Sequence, residues 1–485
     1  MVRHNVAVTT SDLAPGGIAQ SNRVVVIGGG PGGYEAALVA AQLGAEVTVV
    51  DSDGLGGSAV VTDCVPSKTL IATAELMTDL AGAPELGVGF ADQEGDAAHR
   101  VVVDLDRVNR RVKRLAGDQS DDIGRRLERE DVRVVRGTGR LQSAGTVVVD
   151  LADGGTETLE ADGVLVATGA APRTLPSAQP DGERILTWEQ VYDLTEAPTR
   201  LVVVGSGVTG AEFASAYMAL GIEVVLVSSR DRVLPGEDAD AAAVLEDVLT
   251  RRGMQVLSRS RMESVTRDGD VVTVQLTDGR EVTGSHCLLA LGSVPKTTGL
   301  GLEEAGVALD ESGFVKVDRV SRTTARGVYA AGDCTGVLML ASVAAMQGRI
   351  AMWHFLGDAV TPLDLKQVSS NVFTAPEIAT VGFQQKAVDE GEIVAETVRL
   401  DLAGNARAKM QGVHDGFVKL FARPGTGIVV GGVVVGPRAS ELVHSIAIAV
   451  SESLTADQLA HAFTVYPSMS GSIAEAARRL HHSPQ

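Results

Sequence analysis

Four residues near the amino end have the types and spacing needed to hold a dinucleotide. Gly28, Gly30 and Gly33 fit the pattern G-x-G-x-x-G. In this pattern the glycines permit a tight turn, a close approach of backbone to a pyrophosphate, and close packing of the following helix. Asp51 lies 18 residues beyond the last glycine, where its carboxylate can accept hydrogen bonds from ribose hydroxyls. These residues predict a first dinucleotide site.

A second glycine pattern consists of Gly205, Gly207 and Gly210. Here the chain has Ser228 and Arg230, and no carboxylate, at the position that faces the ribose. A hydroxyl and a guanidinium suit a 2′-phosphate through charge-assisted hydrogen bonds, which favours NADPH. The alternative is that Arg230 is a solvated loop charge and that NADH is also accepted.

A further acidic residue, Asp333, follows a short apolar run and precedes a helical pattern. Its carboxylate either bonds the ribitol or phosphate edge of a cofactor, or simply caps the helix. Two dinucleotide sites in one chain predict electron transfer between two cofactors.

The elements around both glycine patterns form βαβ units. Arg23–Ile27 and Arg200–Val204 are short runs rich in valine, which predict buried parallel strands. Each run is followed by the glycines, an alanine-rich helical segment and a second apolar strand. Alternating segments with Asp-Gly turns then predict antiparallel strands. The fold class is therefore α/β with two Rossmann-like domains, and the change of pattern after residue 356 predicts an α+β domain.

Composition excludes several classes of protein. The chain of 485 residues carries 42 Lys+Arg against 62 Asp+Glu, a formal net charge of −20. Such a charge repels nucleic acid, or it serves solubility alone. No apolar run reaches the about 18 residues that a membrane-spanning helix needs. The three cysteines cannot form a disulfide framework or zinc cluster, and no histidine spacing indicates a metal. Residues 1–22 lack the apolar core of a signal peptide, which predicts a cytoplasmic protein.

From Arg23 to about Arg479 the chain resembles the two-dinucleotide flavoprotein disulfide reductases, which include lipoamide dehydrogenase and glutathione reductase. The resemblance implies FAD on the first glycine pattern and on Asp333, a nicotinamide dinucleotide on the second pattern, and a homodimer. It further implies cofactor contacts from Ser58, Thr168, Ala341 and Gly292. The segments that carry it are VATGAAPR (Val166–Arg173), ALGSVPKT (Ala290–Thr297), FTAPEIATVG (Phe373–Gly382) and GVVVGPRASEL (Gly432–Leu442).

The resemblance also implies a division into domains. The predicted units are a polar extension at 1–22, a discontinuous FAD-binding domain at 23–180 and 285–355, an NAD(P)-binding domain at 181–284, and a dimerisation domain at 356–485.

Two departures from the family concern its redox chemistry. The family's redox disulfide lies in a segment similar to GG-x-C-x-x-x-x-C-x-P-S-K, which here is Gly56–Lys68. Ala59 occupies the first cysteine position and only Cys64 remains, so a disulfide cannot form. The family's acid–base histidine is replaced by Tyr466, and the glutamate expected soon after is Gly471. Tyrosine, with a reference pKa near 10, is a poor base for a thiol at neutral pH. Disulfide reduction is therefore predicted to be lost.

The family's ion pair beside the flavin is retained. Lys68 and Glu212 occupy its two positions, where a cation stabilises negative charge on the ring. The alternative is a buried pair without catalytic effect. Cys64 is interpreted as a buried, apolar-like thiol rather than a redox thiol.

We therefore predict an FAD-dependent NAD(P)H dehydrogenase that takes hydride from NADPH and passes electrons directly to a quinone. Two segments, Asp63–Thr69 and Val465–Leu480, resemble quinone reductases of this family that lack the first cysteine. One alternative is a soluble pyridine nucleotide transhydrogenase, which has a similar Tyr-Pro-Thr motif but keeps the first cysteine position and loses the second. Another is a non-catalytic flavin-binding redox sensor.

Overall fold

The computed structural model describes residues 21–89 and 101–481. Residues 1–20 of the predicted polar extension lie outside the described residues. The strands are β1 (Arg23–Ile27), β2 (Glu46–Asp51), β3 (Arg133–Ser143), β4 (Thr146–Leu151), β5 (Thr156–Glu160), β6 (Gly163–Val166), β7 (Ala170–Pro172), β8 (Ile185–Thr187), β9 (Arg200–Val204), β10 (Glu223–Val227), β11 (Gln255–Leu257), β12 (Met262–Asp268), β13 (Val271–Leu276), β14 (Glu281–Gly284), β15 (His286–Leu289), β16 (Ser293–Pro295), β17 (Val328–Ala330), β18 (Ser369–Val372), β19 (Glu377–Gly382), β20 (Glu396–Asp401), β21 (Phe417–Ala422) and β22 (Val429–Gly436). The α-helices are α1 (Pro31–Gln42), α2 (Gly57–Val61), α3 (Cys64–Gly82), α4 (Leu105–Arg129), α5 (Val208–Ala219), α6 (Ala239–Arg251), α7 (Ala341–Phe355), α8 (Gln385–Asp389), α9 (Ala406–Met410), α10 (Ala439–Ser451), α11 (Ala456–His461) and α12 (Gly471–Arg479).

The first sheet has seven strands in the order β17-β6-β1-β2-β3-β4-β5. The strands from β17 to β3 are parallel, and β4 and β5 continue the sheet antiparallel. Central β1 has a run of apolar side chains because both of its faces are buried. Helices α1 and α7 pack tightly against each other, since a Cβ on Gly348 would lie 2.0 Å from the carbonyl oxygen of Gly32. The sheet edge that carries the first glycine turn is thereby fixed.

The second sheet repeats this plan with five parallel strands in the order β11-β10-β9-β15-β8. Strand β9 is apolar and buried, and it leads into the second glycine turn and α5. A three-stranded antiparallel sheet, β12-β13-β14, accompanies it. The two-stranded antiparallel ribbon β7-β16 pairs the segment that follows β6 of the first sheet with the segment that follows β15 of the second sheet.

The third sheet is antiparallel, with the order β18-β19-β22-β21-β20, and α10 packs on β19 and β22. It is tied to the second unit by a buried cluster of charges. The Lys419 ammonium on β21 lies 2.9 Å from both carboxylate oxygens of Asp238 and 2.7 Å from Asp240, at the start of α6. Lys419 and Asp238 are almost fully buried, so breaking this cluster would leave an uncompensated charge in the interior.

The predicted combination of two Rossmann-like units and an α+β unit is thus present. Among the described residues, no helix is both long enough and apolar enough to cross a membrane.

Candidate active site

A cleft of about 430 Å³ opens where the parallel strands of the first sheet end. Ligands of open α/β sheets bind in this place, outside the carboxyl ends of the strands. Strand β1 brings its following glycines to the cleft, β2 brings its last residue, and β6 brings the segment that follows it. The residues predicted to contact FAD that line the cleft are Gly28, Gly30, Asp51, Ser58, Thr168, Asp333 and Ala341.

The glycines of the first turn have two different physical roles. A Cβ on Gly28, whose φ is +104°, would lie 2.3 Å from the carbonyl oxygen of Ala167. A Cβ on Gly33 would lie 1.9 Å from the carbonyl oxygen of Gly28. At Gly30 the nearest atom would be 3.9 Å away, so this backbone is open to a ligand. The first and third glycines are therefore required by packing, and the second leaves room for a pyrophosphate.

Helices α1 and α7 both begin at the cleft with N-termini that no side chain caps. Helix α1 follows Gly30 and α7 follows Leu340, and neither has an acidic residue in its first turn. Backbone N–H groups at a helix start carry partial positive charge and suit a bound phosphate. Together with the glycine turn, these helix ends fit the pyrophosphate of FAD.

Asp51 is fixed at the end of β2 by backbone donors. Its Oδ2 accepts a hydrogen bond from the Gly29 N–H at 2.7 Å, and its Oδ1 accepts from Gly54 and Asp53 at 2.6 and 3.1 Å. Because three donors hold the carboxylate, its position in the cleft is defined before a ribose binds. Lys296, which the sequence analysis did not identify, also lines the cleft and pairs with Asp53 at 3.3 Å.

The second glycine turn repeats the geometry of the first. A Cβ on Gly205, with φ +113°, would lie 2.1 Å from the carbonyl oxygen of Ala290. A Cβ on Gly210 would lie 1.9 Å from the carbonyl oxygen of Gly205, whereas Gly207 has no atom within 4 Å of such a Cβ. The turn that opens α5 therefore has the same exposed backbone at its middle glycine.

The residues predicted to select the nicotinamide dinucleotide differ in exposure. The Ser228 hydroxyl is buried, 2.7 Å from the Ser206 hydroxyl, and accepts a hydrogen bond from the Arg230 N–H at 3.1 Å. The Arg230 side chain is exposed just after β10. Gly292 lies beside the β7-β16 ribbon, where its carbonyl accepts a hydrogen bond from the Arg173 N–H at 2.9 Å.

The retained ion pair joins all three units of the chain. The Lys68 ammonium on α3 lies 2.8 Å from Glu212 Oε2 on α5, and Glu212 Oε1 accepts a hydrogen bond from the Phe373 N–H at 2.8 Å. The same ammonium lies 4.9 Å from the centre of the Phe373 ring. Burial disfavours the charge of Lys68, but attraction and the hydrogen bond from Glu212 outweigh burial and raise the pKa of Lys68. Lys68 is therefore a fixed cation one helical turn after Cys64.

Ala59 and Cys64, at the two cysteine positions of the family, both line the cleft. Burial, reinforced by the neighbouring Asp63 carboxylate, raises the pKa of the Cys64 thiol to about 12, so this thiol is neutral at physiological pH. A neutral thiol is a poor nucleophile. Cys287 and Cys334 are buried, and all three cysteines are free.

Asp63 and Phe373 are site residues that the sequence analysis did not assign. Asp63 lines the cleft, and burial raises the pKa of its carboxyl to about 6. The sequence signal that could have identified Asp63 is its position directly before the helix that begins at Cys64. Phe373 gave none, because its contact with Glu212 depends on how distant segments pack. Burial also raises the pKa of Asp333.

The packing of the first turn predicts the effect of Gly33→Ala. Its new methyl group overlaps the Gly28 carbonyl, an overpacking that costs about 1–3 kcal/mol. We expect this to weaken FAD binding about tenfold or more, measured by flavin fluorescence on the apoprotein. Gly117→Ala in α4 is the matched control, because no atom lies within 4 Å of its Cβ. Equal FAD affinity in both variants would contradict the packing role of Gly33.

Comparison with known proteins identifies the architecture. Residues 22–348 match the family model described as pyridine nucleotide-disulphide oxidoreductase. Residues 368–477 match the dimerisation domain of the same family.

Full-length relatives support this match. A Mycobacterium tuberculosis protein named NAD(P)H dehydrogenase (quinone) is 55% identical over 469 residues, which cover 94% of each chain. The crystal structure of LpdA from the same organism has a TM-score of 0.90 and 54% identity, and the match covers 95% of this chain and 100% of LpdA. A dihydrolipoyl dehydrogenase of Zymomonas mobilis is 32% identical, covering 93% of this chain and 96% of the relative.

These matches confirm the predicted fold class and the predicted pair of cofactors, FAD and a nicotinamide dinucleotide. The domain boundaries and the roles of single residues stay predictions. By sequence and by fold, the chain belongs to the pyridine nucleotide-disulphide oxidoreductase family.

Proposed function

We propose that this protein is an NAD(P)H dehydrogenase that delivers electrons from NADPH, through FAD, directly to a quinone. The observation that carries the proposal is the pair Ala59 and Cys64, which leaves the cleft one neutral thiol where a dithiol would be needed. The printed name of the M. tuberculosis relative supports the quinone as acceptor. In this proposal electrons leave without a disulfide relay.

Each of the retained residues has a task in this function. FAD held by the residues of the cleft would supply the two-electron chemistry between NADPH and the acceptor. The glycine turns and helix ends bind the two pyrophosphates. Lys68, oriented by Glu212, holds a positive charge that favours negative charge on the ring.

The proposal extends to assembly and location. The match to a dimerisation domain over residues 368–477 supports a homodimer. Phe463, Val465 and Tyr466, just before α12, expose apolar surface that a second copy would cover. The cytoplasmic location stays a prediction.

A panel of acceptors tests the function. The enzyme is reduced with NADPH without oxygen and mixed with quinones, lipoamide, glutathione disulfide or a thio-NAD analogue, while flavin absorbance is followed. We expect quinones to react at least about a hundredfold faster than either disulfide, because no dithiol can form. Ala59→Cys should not restore disulfide reduction, since Tyr466 still replaces the acid–base group.

Other outcomes of this panel identify the alternatives. Transfer to thio-NAD that is faster than transfer to any quinone would make the protein a transhydrogenase. If NADPH does not bleach the absorbance of the bound FAD, the protein would be a redox sensor.

Direct transfer predicts different results at Lys68 and Cys64. Lys68→Met removes the cation and leaves the buried Glu212 carboxylate without a counter-charge, which should slow flavin reduction by NADPH about 10²-fold or more. Cys64→Ser should keep quinone turnover within a factor of about ten, because only packing and local polarity change. Stopped-flow bleaching measures both. Loss of quinone turnover in Cys64→Ser, with normal flavin reduction in Lys68→Met, would make the single thiol the relay.

Arg230 predicts the choice of nicotinamide cofactor. Arg230→Ala should lower kcat/KM for NADPH by about 10- to 150-fold, the effect of one charge-assisted contact of about 1.5–3 kcal/mol. NADH is the internal control and should be nearly unaffected, since it lacks the 2′-phosphate. Equal losses with both cofactors would mean that Arg230 does not contact this phosphate.

A further inference from the structure

The Asp63 carboxyl is held at the cleft without a structural partner. Its backbone is fixed on both sides, because the Asp63 N–H donates to the Ser58 carbonyl and the Asp63 carbonyl accepts from the Ser67 N–H, each at 2.7 Å. An aspartate before a helix usually accepts hydrogen bonds from the first turn, but the Asp63 side chain makes no capping bond to α3. Within the described residues its carboxylate accepts no hydrogen bond from any group. The side chain is thus available to a ligand in the cleft.

Quinone reduction needs an acid that the family's usual position does not supply. A quinone takes up two electrons and two protons. A hydride carries both electrons and one proton, so one further proton must come from a donor in the site. Tyr466 stands in place of the histidine that serves as acid–base in the family.

We propose that Asp63 donates this proton to the quinone, an inference that rests on the proposed quinone reductase function. The O–H bond of the Asp63 carboxylic acid breaks as an O–H bond forms on one quinone oxygen. The resulting carboxylate then takes up a proton from water. The overall reaction is NADPH + H⁺ + quinone → NADP⁺ + hydroquinone, which balances both electrons and protons.

The other titratable groups along the cleft are occupied or unsuited. Asp51 accepts three backbone hydrogen bonds, and Asp53 pairs with Lys296. The Cys64 thiol holds its proton too tightly, with a pKa of about 12. Asp333, at the start of a short 3₁₀ turn, is the residue that the family resemblance assigns to FAD itself.

The surroundings of Asp63 keep its acid form accessible. Burial raises the pKa of the carboxyl, the Lys68 ammonium opposes this shift, and the carboxylates of Glu212, Asp333 and Glu189 reinforce it, with a net value of about 6. Cys64 and Tyr192, which also lie near Asp63, are neutral because burial raises the pKa of each. A proton donor whose pKa lies near the working pH is present in its acid form and also gives up its proton readily. The acid form prevails below pH 6 and declines tenfold per pH unit above it.

The experiment separates the two half-reactions of the FAD-loaded enzyme between pH 5 and pH 9. In Asp63→Asn we expect flavin reduction by NADPH to change less than about threefold, while quinone reduction at pH 6 slows about 10²-fold. The decline of the quinone step above pH 6 should also disappear. An Asn variant that reduces quinone at the wild-type rate and with the wild-type pH profile would overturn the proposal.

Glu189→Gln is the matched control, because it is the same change of acid to amide outside the cleft lining. It should keep the quinone step fast. It removes a negative charge that raises the pKa of Asp63, so the midpoint of the pH profile should move to lower pH. An unmoved midpoint would contradict the role of Asp63, and this comparison holds even if the Asn variant fails to retain FAD.

A measurement without turnover gives an independent readout. Ionisation of a carboxyl at the cleft should alter the visible absorbance of bound FAD, so wild-type enzyme titrated without NADPH should show a transition near pH 6. Asp63→Asn should lack this transition, and Asp63→Glu should restore one. A transition that persists in Asp63→Asn would belong to another group and would overturn the proposal. Absence of quinone reduction in the wild-type enzyme would instead refute the proposed function, and the absorbance titration distinguishes the two failures.

Discussion

The geometry of the site depends on two contacts made by one buried carboxylate, that of Glu212. Glu212 is only 5% exposed, and a charge in such a place is stable only when its oxygens are paired. One oxygen meets the Lys68 ammonium of the first unit, and the other accepts a hydrogen bond from Phe373 of the third unit. Because Glu212 belongs to the second unit, the two contacts can form together only when all three units are in place. The position of the Lys68 cation therefore depends on contacts that join all three units.

This cation lies beside two groups, Asp63 and Cys64, whose pKa burial raises. Lys68 lowers the pKa of both Asp63 and Cys64, yet burial outweighs it at each residue. In a disulfide reductase a second thiol and an acid–base histidine would give such a cleft a dithiol to protonate and deprotonate. Here the same helix start presents one inert thiol, a carboxyl near its titration point and a cation. That set suits proton delivery better than thiol exchange.

The sequence was informative where structure depends on near neighbours. Both glycine turns follow from local steric rules, so β1, α1, β9 and α5 were expected at their observed places. The ion pair Lys68–Glu212 was expected only through family resemblance, since its members are 144 residues apart. The contact of Phe373 and the free side chain of Asp63 could not be predicted. They depend on the packing of distant segments and on a capping bond that the start of α3 lacks.

The two dinucleotide sites differ mainly in the hydrogen bond that links the end of the second strand to the glycine turn. In the first site the Asp51 carboxylate bonds the Gly29 N–H, which joins the end of β2 to the residue after the first glycine. In the second site the corresponding hydrogen bond joins two hydroxyls, and the Ser228 and Ser206 oxygens lie 2.7 Å apart. The neutral pair stabilises the same turn without placing a carboxylate where a 2′-phosphate would lie. In the proposed function, exposed Arg230 attracts that phosphate without competing with a fixed negative charge at the strand end. We therefore include the buried Ser228 in the proposed selection of the cofactor.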